Sequence, residues 1–473
     1  MHFLNRRKSF DLDESIKVEH RLKRTLDWRH LVAMGVGAII GTGIYTLTGV
    51  GAGLAGPAVI LSFMIAGAVC ACAALCYAEM STLMPAAGSA YAYTYAVLGE
   101  LPAWVVGWSL ILEYTVVCSA VAVGWSGYFV GAMKSVGVNM PTALTAGIAA
   151  GGLVNLPAVV ITLAVCGLLV LGTKESARLN LVLVAIKLIA LGGFLVLTLP
   201  VFHPSHFHPF MPNGFIGHEG PEGKVGVMTA ASLIFFAFYG FDAISTASEE
   251  AKNPQRDLKI GIMGSMLLCT TIYIVVALAA IGASRVEDFS KSVEPLAFIL
   301  RMLGHPFAAV LIGGAAVIAL PSVIMVFMYG QSRVFFAMAR DGLLPVRLAR
   351  VHPKFGTPAL VTLATGVLAA IMAGFLSLKE IAELANAGTL AAFFAVALCM
   401  LILRFSDKDR PRLFRAPAGK VVAPLAMAGC FYLFVNLPSI TVTRFLIWNA
   451  IGIVVYFVYS RVHSKLAVAA GFA

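Results

Sequence analysis

The chain has 473 residues, of which 60% are hydrophobic and only 12% are charged, with a mean hydropathy of +0.90. A water-soluble fold has nowhere to hide so much apolar surface, so the solvent is largely lipid. The net charge of +11 calls for no nucleic acid, because basic loops beside anionic lipid headgroups account for it.

A hydrocarbon core of about 30 Å takes roughly 20 apolar residues per helix, and lipid leaves no water to satisfy open strands. The sequence therefore predicts an all-α integral membrane protein. Apolar windows predict twelve spans, near residues 30–54, 57–83, 102–131, 156–173, 179–201, 226–248, 260–283, 306–337, 358–376, 384–404, 421–438 and 443–460. The first begins only after about 29 residues and has neither the short apolar core nor the small-residue site of a cleaved leader, so residues 1–29 are expected to remain as a cytoplasmic arm. With that arm inside, 26 Lys and Arg fall on its side of the membrane and 7 on the other, while Lys187 lies within a span. This bias predicts that both termini are cytoplasmic, with residues 461–473 as the tail.

The first span carries four glycines in nine residues, Gly35, Gly37, Gly41 and Gly43. Glycines four apart, such as Gly37 and Gly41, suit close helix packing. A further glycine at 43, beside Thr42, costs about 1 kcal/mol in a helix interior and fits an unwound turn better. Such a turn over Ile39, Ile40, Gly41, Thr42 and Gly43 frees N–H groups that can hold a carboxylate without an arginine. The sixth span reads Phe235-Phe236-Ala237-Phe238-Tyr239-Gly240-Phe241-Asp242, with a glycine at mid-depth followed by an acidic residue. A second break there would offer the carbonyls of Phe236, Ala237 and Tyr239 to an ammonium group. Helices one and six run in opposite directions when five spans separate them, as an inverted repeat requires, and two facing cradles of opposite sign fit a zwitterion.

Glu113, Lys187 and Asp242 are ionisable residues at depths where snorkelling is difficult, and each is a functional candidate. Lys187 reads either as a proton switch, given an insertion cost of about 2.5–3.5 kcal/mol, or as an anchor donating to carbonyls of the first helix. Asp242 serves a site or caps the second half of a broken helix. Glu113 meets a basic substrate side chain or accepts a hydrogen bond between helices.

The eight cysteines lie in predicted spans, where the cluster Cys70, Cys72 and Cys76 reads as packing rather than metal binding. His203, His206, His208 and His218 fall in the long loop after the fifth span and read as solvated. No metal or other cofactor is called for.

The chain resembles the bacterial cationic amino acid transporter family of the amino acid, polyamine and organocation superfamily. The residues that carry the likeness are Leu22-Lys23-Arg24-Thr25-Leu26, GAIIGTGIY at 37–45, PAAGSAYAYTY at 85–95, FYGFDAISTASEEAKNPQRDL at 238–258, YGQSRVFFAMARDGLLP at 329–345, GTP at 356–358 and ELANAGTLAAF at 383–393. It departs at Lys259, where many relatives have proline. The resemblance implies a five-plus-five inverted repeat, residues 30–201 and 226–404, with two further helices over 421–460. It implies an amino acid carried by alternating access, the carboxylate on Ile39 to Gly43, the amino group on carbonyls of Phe236, Ala237 and Tyr239, and proton coupling through Lys187. Family members handle basic and neutral amino acids, so the expected substrate is a cationic or small neutral amino acid taken up with a proton across the cell membrane. Lipid is the other implied partner. An exchanger or facilitator fits the same residues. A nutrient sensor would want longer tails than about 29 and 13 residues. A membrane enzyme would want paired acids, a nucleophile with its base, or a histidine-rich metal motif, and the sequence offers none at membrane depth.

Overall fold

The computed structural model describes residues 6–9, 24, 26–135, 137–148, 151–171, 174–220, 223–352, 357–376 and 378–469. The expectations placed on Leu22, Lys23, Thr25, Gly356 and most of the N-terminal arm, and on the side chains of Thr42, Lys224 and Lys379, lie outside the described residues.

Helices stand over all twelve expected segments. The first span is Trp28–Ile39, Thr42–Tyr45 and Leu47–Ala55, and the second is Val59–Leu83. A turn at Gly56 (φ 66°) and Pro57 separates them, because only glycine adopts that backbone cheaply and proline opens the next helix. Then follow Glu100–Ser135, Leu156–Leu171 and Lys174–Thr198 as the third to fifth spans, and Val227–Ile234 with Phe241–Thr246 as the sixth. Pro254–Ala283 is the seventh, and Pro306–Ala319 with Pro321–Arg340 the eighth. Ala359–Phe375, Leu378–Ser406, Gly419–Val435 and Ser439–Val455 complete the set. Among the described residues, eight helical runs are long and apolar enough to cross a membrane, the first of them, Leu47–Leu83, joining the end of the first span to the second, and three shorter apolar helices occupy the fourth, ninth and eleventh places.

The elements outside this set are small. Helix Ala90–Val97 follows the second span, helix Pro295–Met302 follows the seventh, and His218–Gly220 pairs antiparallel with Gly223–Val225 before the sixth. The third span starts two residues before its expected boundary, at Glu100, and the fifth at Lys174 instead of 179. In both cases the helix runs past the apolar window into charged residues.

The seventh span packs along the first and second, and the third lies against the eighth and tenth, so the broken spans are enclosed. The apolar window of the sixth span is 94% buried and that of the third 89%, against 22% for the twelfth. The outer spans instead present Leu163, Leu181, Ile189, Leu363, Phe431 and Leu446 outward, an apolar belt that only lipid covers without cost. All eight cysteines are free thiols.

At the end of the bundle where Arg6 donates to the Arg461 carbonyl at 3.1 Å, buried acids tie the elements together. Glu79 of the second span accepts from Arg404 and from the Ala416 N–H at 2.8 Å, with Arg412 3.2 Å away. Arg333 pairs with Glu250 at 2.9 Å and Arg340 with Glu249 at 3.0 Å, joining the eighth span to the residues after the sixth. Glu100 accepts from the hydroxyls of Tyr95, Tyr456 and Ser464 and from Arg6 of the arm, while Lys8 reaches Asp341 at 2.7 Å.

Removing one partner of a buried pair strands the other charge, a cost of about 3–5 kcal/mol. Glu79→Ala is therefore expected to lower the unfolding temperature markedly in detergent, measured by thermal unfolding of the purified protein. A shift within error of wild type would mean that Arg404 and Arg412 are not held by Glu79.

Candidate substrate site

The first helix stops at Ile39. Ile40 turns extended (φ −73°, ψ 93°) after its N–H closes on the Val36 carbonyl, so the helical ladder cannot continue. Gly41 then accepts from the N–H groups of Ile44 and Tyr45 at 3.2 and 3.3 Å and begins the short piece Thr42–Tyr45.

The sixth span breaks in a different way. After Ile234 the chain tightens into the 3-10 turn Phe235–Phe238, Tyr239 extends (ψ 155°), and Gly240 takes φ 117° before Phe241–Thr246 begins. That φ suits glycine and strains any other residue.

The two breaks touch. A Cβ on Gly43 would fall on Ala237, and one on Gly240 would meet Ala38 and lie 3.1 Å from the Ile39 nitrogen. The other glycines of the first span face neighbours too. A Cβ at Gly37 would lie 2.7 Å from Asn180 Oδ1, and one at Gly41 would lie 2.9 Å from Val323. Close packing and helix interruption thus coexist in one short stretch.

Side chains from other spans satisfy the released backbone groups. Lys187 Nζ donates to the carbonyls of Gly37 and Ile40 at 2.7 and 2.6 Å, and Ser322 Oγ approaches the Gly37 carbonyl at 3.4 Å. Lys187 is fully buried, and no carboxylate lies within ion-pair distance of it among the described residues. Tyr128 donates to the Tyr45 carbonyl at 2.5 Å. Tyr273 donates to the carbonyls of Ile39 and Ala237, the latter at 2.9 Å.

Asp242 is nearly fully buried and caps the second half of the sixth span. Its Oδ1 accepts from the Gly240 N–H at 3.1 Å and its Oδ2 from the Tyr114 hydroxyl at 2.7 Å. The Tyr239 hydroxyl is turned to Asn386, whose amide donates to the Ser232 carbonyl at 2.7 Å. Glu113 is wholly buried on the third span, and neither carboxyl oxygen has a hydrogen-bond partner among the described residues. Asp242, Thr389, Tyr77, Tyr114 and Tyr239 are among its polar neighbours, and the Thr389 hydroxyl donates to the Ala385 carbonyl at 3.2 Å.

The structure therefore gathers Ile39, Ile40, Gly41, Gly43, Phe236, Ala237 and Lys187 around touching breaks, with Asp242 on the second break itself and Glu113 near Asp242. The Ala237 carbonyl, expected to be free, already accepts from Tyr273. Sequence reasoning missed Tyr273, Tyr114, Tyr128 and Ser322. For Tyr273 a signal existed: Gly261, Ser265, Cys269, Tyr273 and Ala277 recur every four residues in the seventh span, a small and polar stripe along one buried helix face.

A multi-pass helical bundle with two touching helix breaks at its centre, their released backbone groups bonded by buried polar side chains, is the architecture of a membrane carrier. The chain belongs to the amino acid permease family, whose profile matches residues 26–458. It is 44% identical to the branched-chain amino acid permease BcaP of Bacillus subtilis over 98% of both chains. It is 41% identical to the methylthioribose transporter of the same organism, over 98% of this chain and all of that one. It is also 34% identical to human cationic amino acid transporter 4, over 86% of this chain and 64% of the human protein. These relatives are permeases and transporters, and the chain is not an enzyme.

Overpacking a close contact costs about 1–3 kcal/mol, as does forcing a side chain into positive φ. Gly43→Ala and Gly240→Ala are expected to lower the unfolding temperature and abolish amino acid uptake into proteoliposomes. Gly192→Ala, where an added Cβ meets nothing within 4 Å, is the matched control and should do neither.

Proposed function

We propose that this permease takes up an amino acid together with a proton, by alternating access in the cell membrane, with both termini cytoplasmic. The observation that carries the reading is Lys187, a buried amine whose hydrogen bonds go to carbonyls of the first break. A charged donor makes hydrogen bonds roughly twice as strong as a neutral one, so losing a proton from this amine loosens the first break. Proton occupancy and the shape of the carboxylate cradle are thereby linked. In this reading Ile39 to Gly43 receive the substrate carboxylate, and the carbonyls of Phe236, Ala237 and Tyr239 receive its ammonium group. Residues 30–201 and 226–404 are the two inverted repeats that move against each other, each carrying one break. The excess of basic residues on the side of the N-terminal arm supports the orientation.

Lys187→Ala is expected to abolish accumulation driven by a pH gradient in proteoliposomes while leaving counterflow of preloaded amino acid measurable. Undiminished concentrative uptake by that variant would remove the proton switch, and wild-type counterflow with no response to the gradient would make the protein an exchanger or facilitator.

The side chain of the substrate is read in two ways. Relatives named for branched-chain amino acids favour a neutral one. Glu113, buried without a hydrogen-bond partner, favours a basic one, because an ammonium or guanidinium would supply its missing donors. A thermal-shift panel of leucine, isoleucine, valine, alanine, lysine, arginine and methylthioribose separates them, since a ligand that binds only the folded protein raises its unfolding temperature. Stabilisation by arginine or lysine that disappears in Glu113→Gln identifies the basic reading. Stabilisation by leucine that survives in Glu113→Gln identifies the neutral one.

A further inference from the structure

Tyr273 stands midway along the seventh span, wholly buried, at a position marked by neither charge nor glycine. Its hydroxyl faces two carbonyls, Ile39 of the first break and Ala237 of the second. A phenol carries a single proton, so it gives a full hydrogen bond to one of these carbonyls at a time and keeps its own oxygen as an acceptor. The hydroxyl is held in place. Phe63 and Phe238 lie edge-on to the ring with centroids 6.0 and 5.3 Å away. The helix beneath is fixed against the first span two turns back, where Ser265 meets the position of a Cβ on Gly35.

Resting on the reading that carbonyls of the sixth-span break take the substrate ammonium, we propose that Tyr273 is a positioning residue for the amino-group end of the site. With the phenol proton turned to the Ile39 carbonyl, the phenol oxygen and the Ala237 carbonyl stand 2.9 Å apart as two acceptors for one ammonium group. With no ammonium present, the proton turns to Ala237 and satisfies that carbonyl. The hydroxyl thus adds one acceptor to the amino-group cradle. Recognition of the ammonium group depends on it, and recognition of the carboxylate does not.

The test compares ligands that differ only at the amino group: leucine against 4-methylpentanoate, and arginine against 5-guanidinopentanoate. Binding is read as the ligand-dependent rise in unfolding temperature of the purified protein, a measurement that needs no transport, in wild type and in Tyr273→Phe, which keeps the ring and its packing. Wild type is expected to prefer the amino acid in at least one pair. One charge-assisted hydrogen bond corresponds to about tenfold in affinity, so Tyr273→Phe should reduce that preference by about tenfold and leave affinity for the des-amino acid unchanged. An unchanged preference, or equal weakening of both members, gives Tyr273 a packing role alone and overturns the proposal. Absence of any preference in wild type itself would overturn the ammonium reading of the sixth span, and this proposal with it.

Discussion

A backbone N–H or carbonyl released in hydrocarbon has no water to turn to, and the centre of this protein is organised by how that demand is met. Each break is answered by side chains: Lys187 of the fifth span, Tyr273 of the seventh and Ser322 of the eighth for the first break, and Tyr273 together with the sixth span's own Asp242 for the second. The same contacts that stabilise the broken helices therefore surround the place where a substrate would sit. Any movement of a break has to exchange one of these partners for another, and in the proposed function a ligand or a proton acts on the fold through that exchange.

The glycines make the arrangement possible at close quarters. Gly43 and Gly240 allow the two breaks to meet without a side chain between them, so their backbone groups face one small volume. Around this centre the spans differ in character. The third and sixth are almost entirely enclosed, whereas the twelfth turns most of its surface to lipid. The end where Arg6 meets the Arg461 carbonyl is tied by buried acids, among them Glu79, Glu100 and Glu250, and the arm contributes Arg6 and Lys8 to the same set. Opening that end would hydrate these pairs, which offsets part of the cost of separating them.

Relatives of this chain carry names for branched-chain amino acids, cationic amino acids and methylthioribose. In the proposed function, a cradle made of backbone groups serves what amino acids share, the carboxylate and the ammonium group, and a sugar such as methylthioribose has neither. The same proposal leaves discrimination to the flanking residues, where Glu113 lies wholly buried near Asp242 and Thr389.

The apolar windows were enough to place the twelve helices, because in lipid a span must be both long and apolar. Boundaries slipped where helix continued into charged sequence, as at Glu100 and Lys174. The breaks were legible too, since Gly41-Thr42-Gly43 and Gly240 are costly inside a helix, and Lys187 stood out as a charge in hydrocarbon. What the sequence by itself could not separate was a cap from a site at Asp242, or an anchor from a switch at Lys187, because each alternative uses the same residue. Tertiary structure decided the partners: Asp242 on the Gly240 N–H, Lys187 on the Gly37 and Ile40 carbonyls, and Tyr273 across both breaks. Hydropathy is a property of one segment, whereas a hydrogen bond between residues more than a hundred positions apart exists only once the helices have packed.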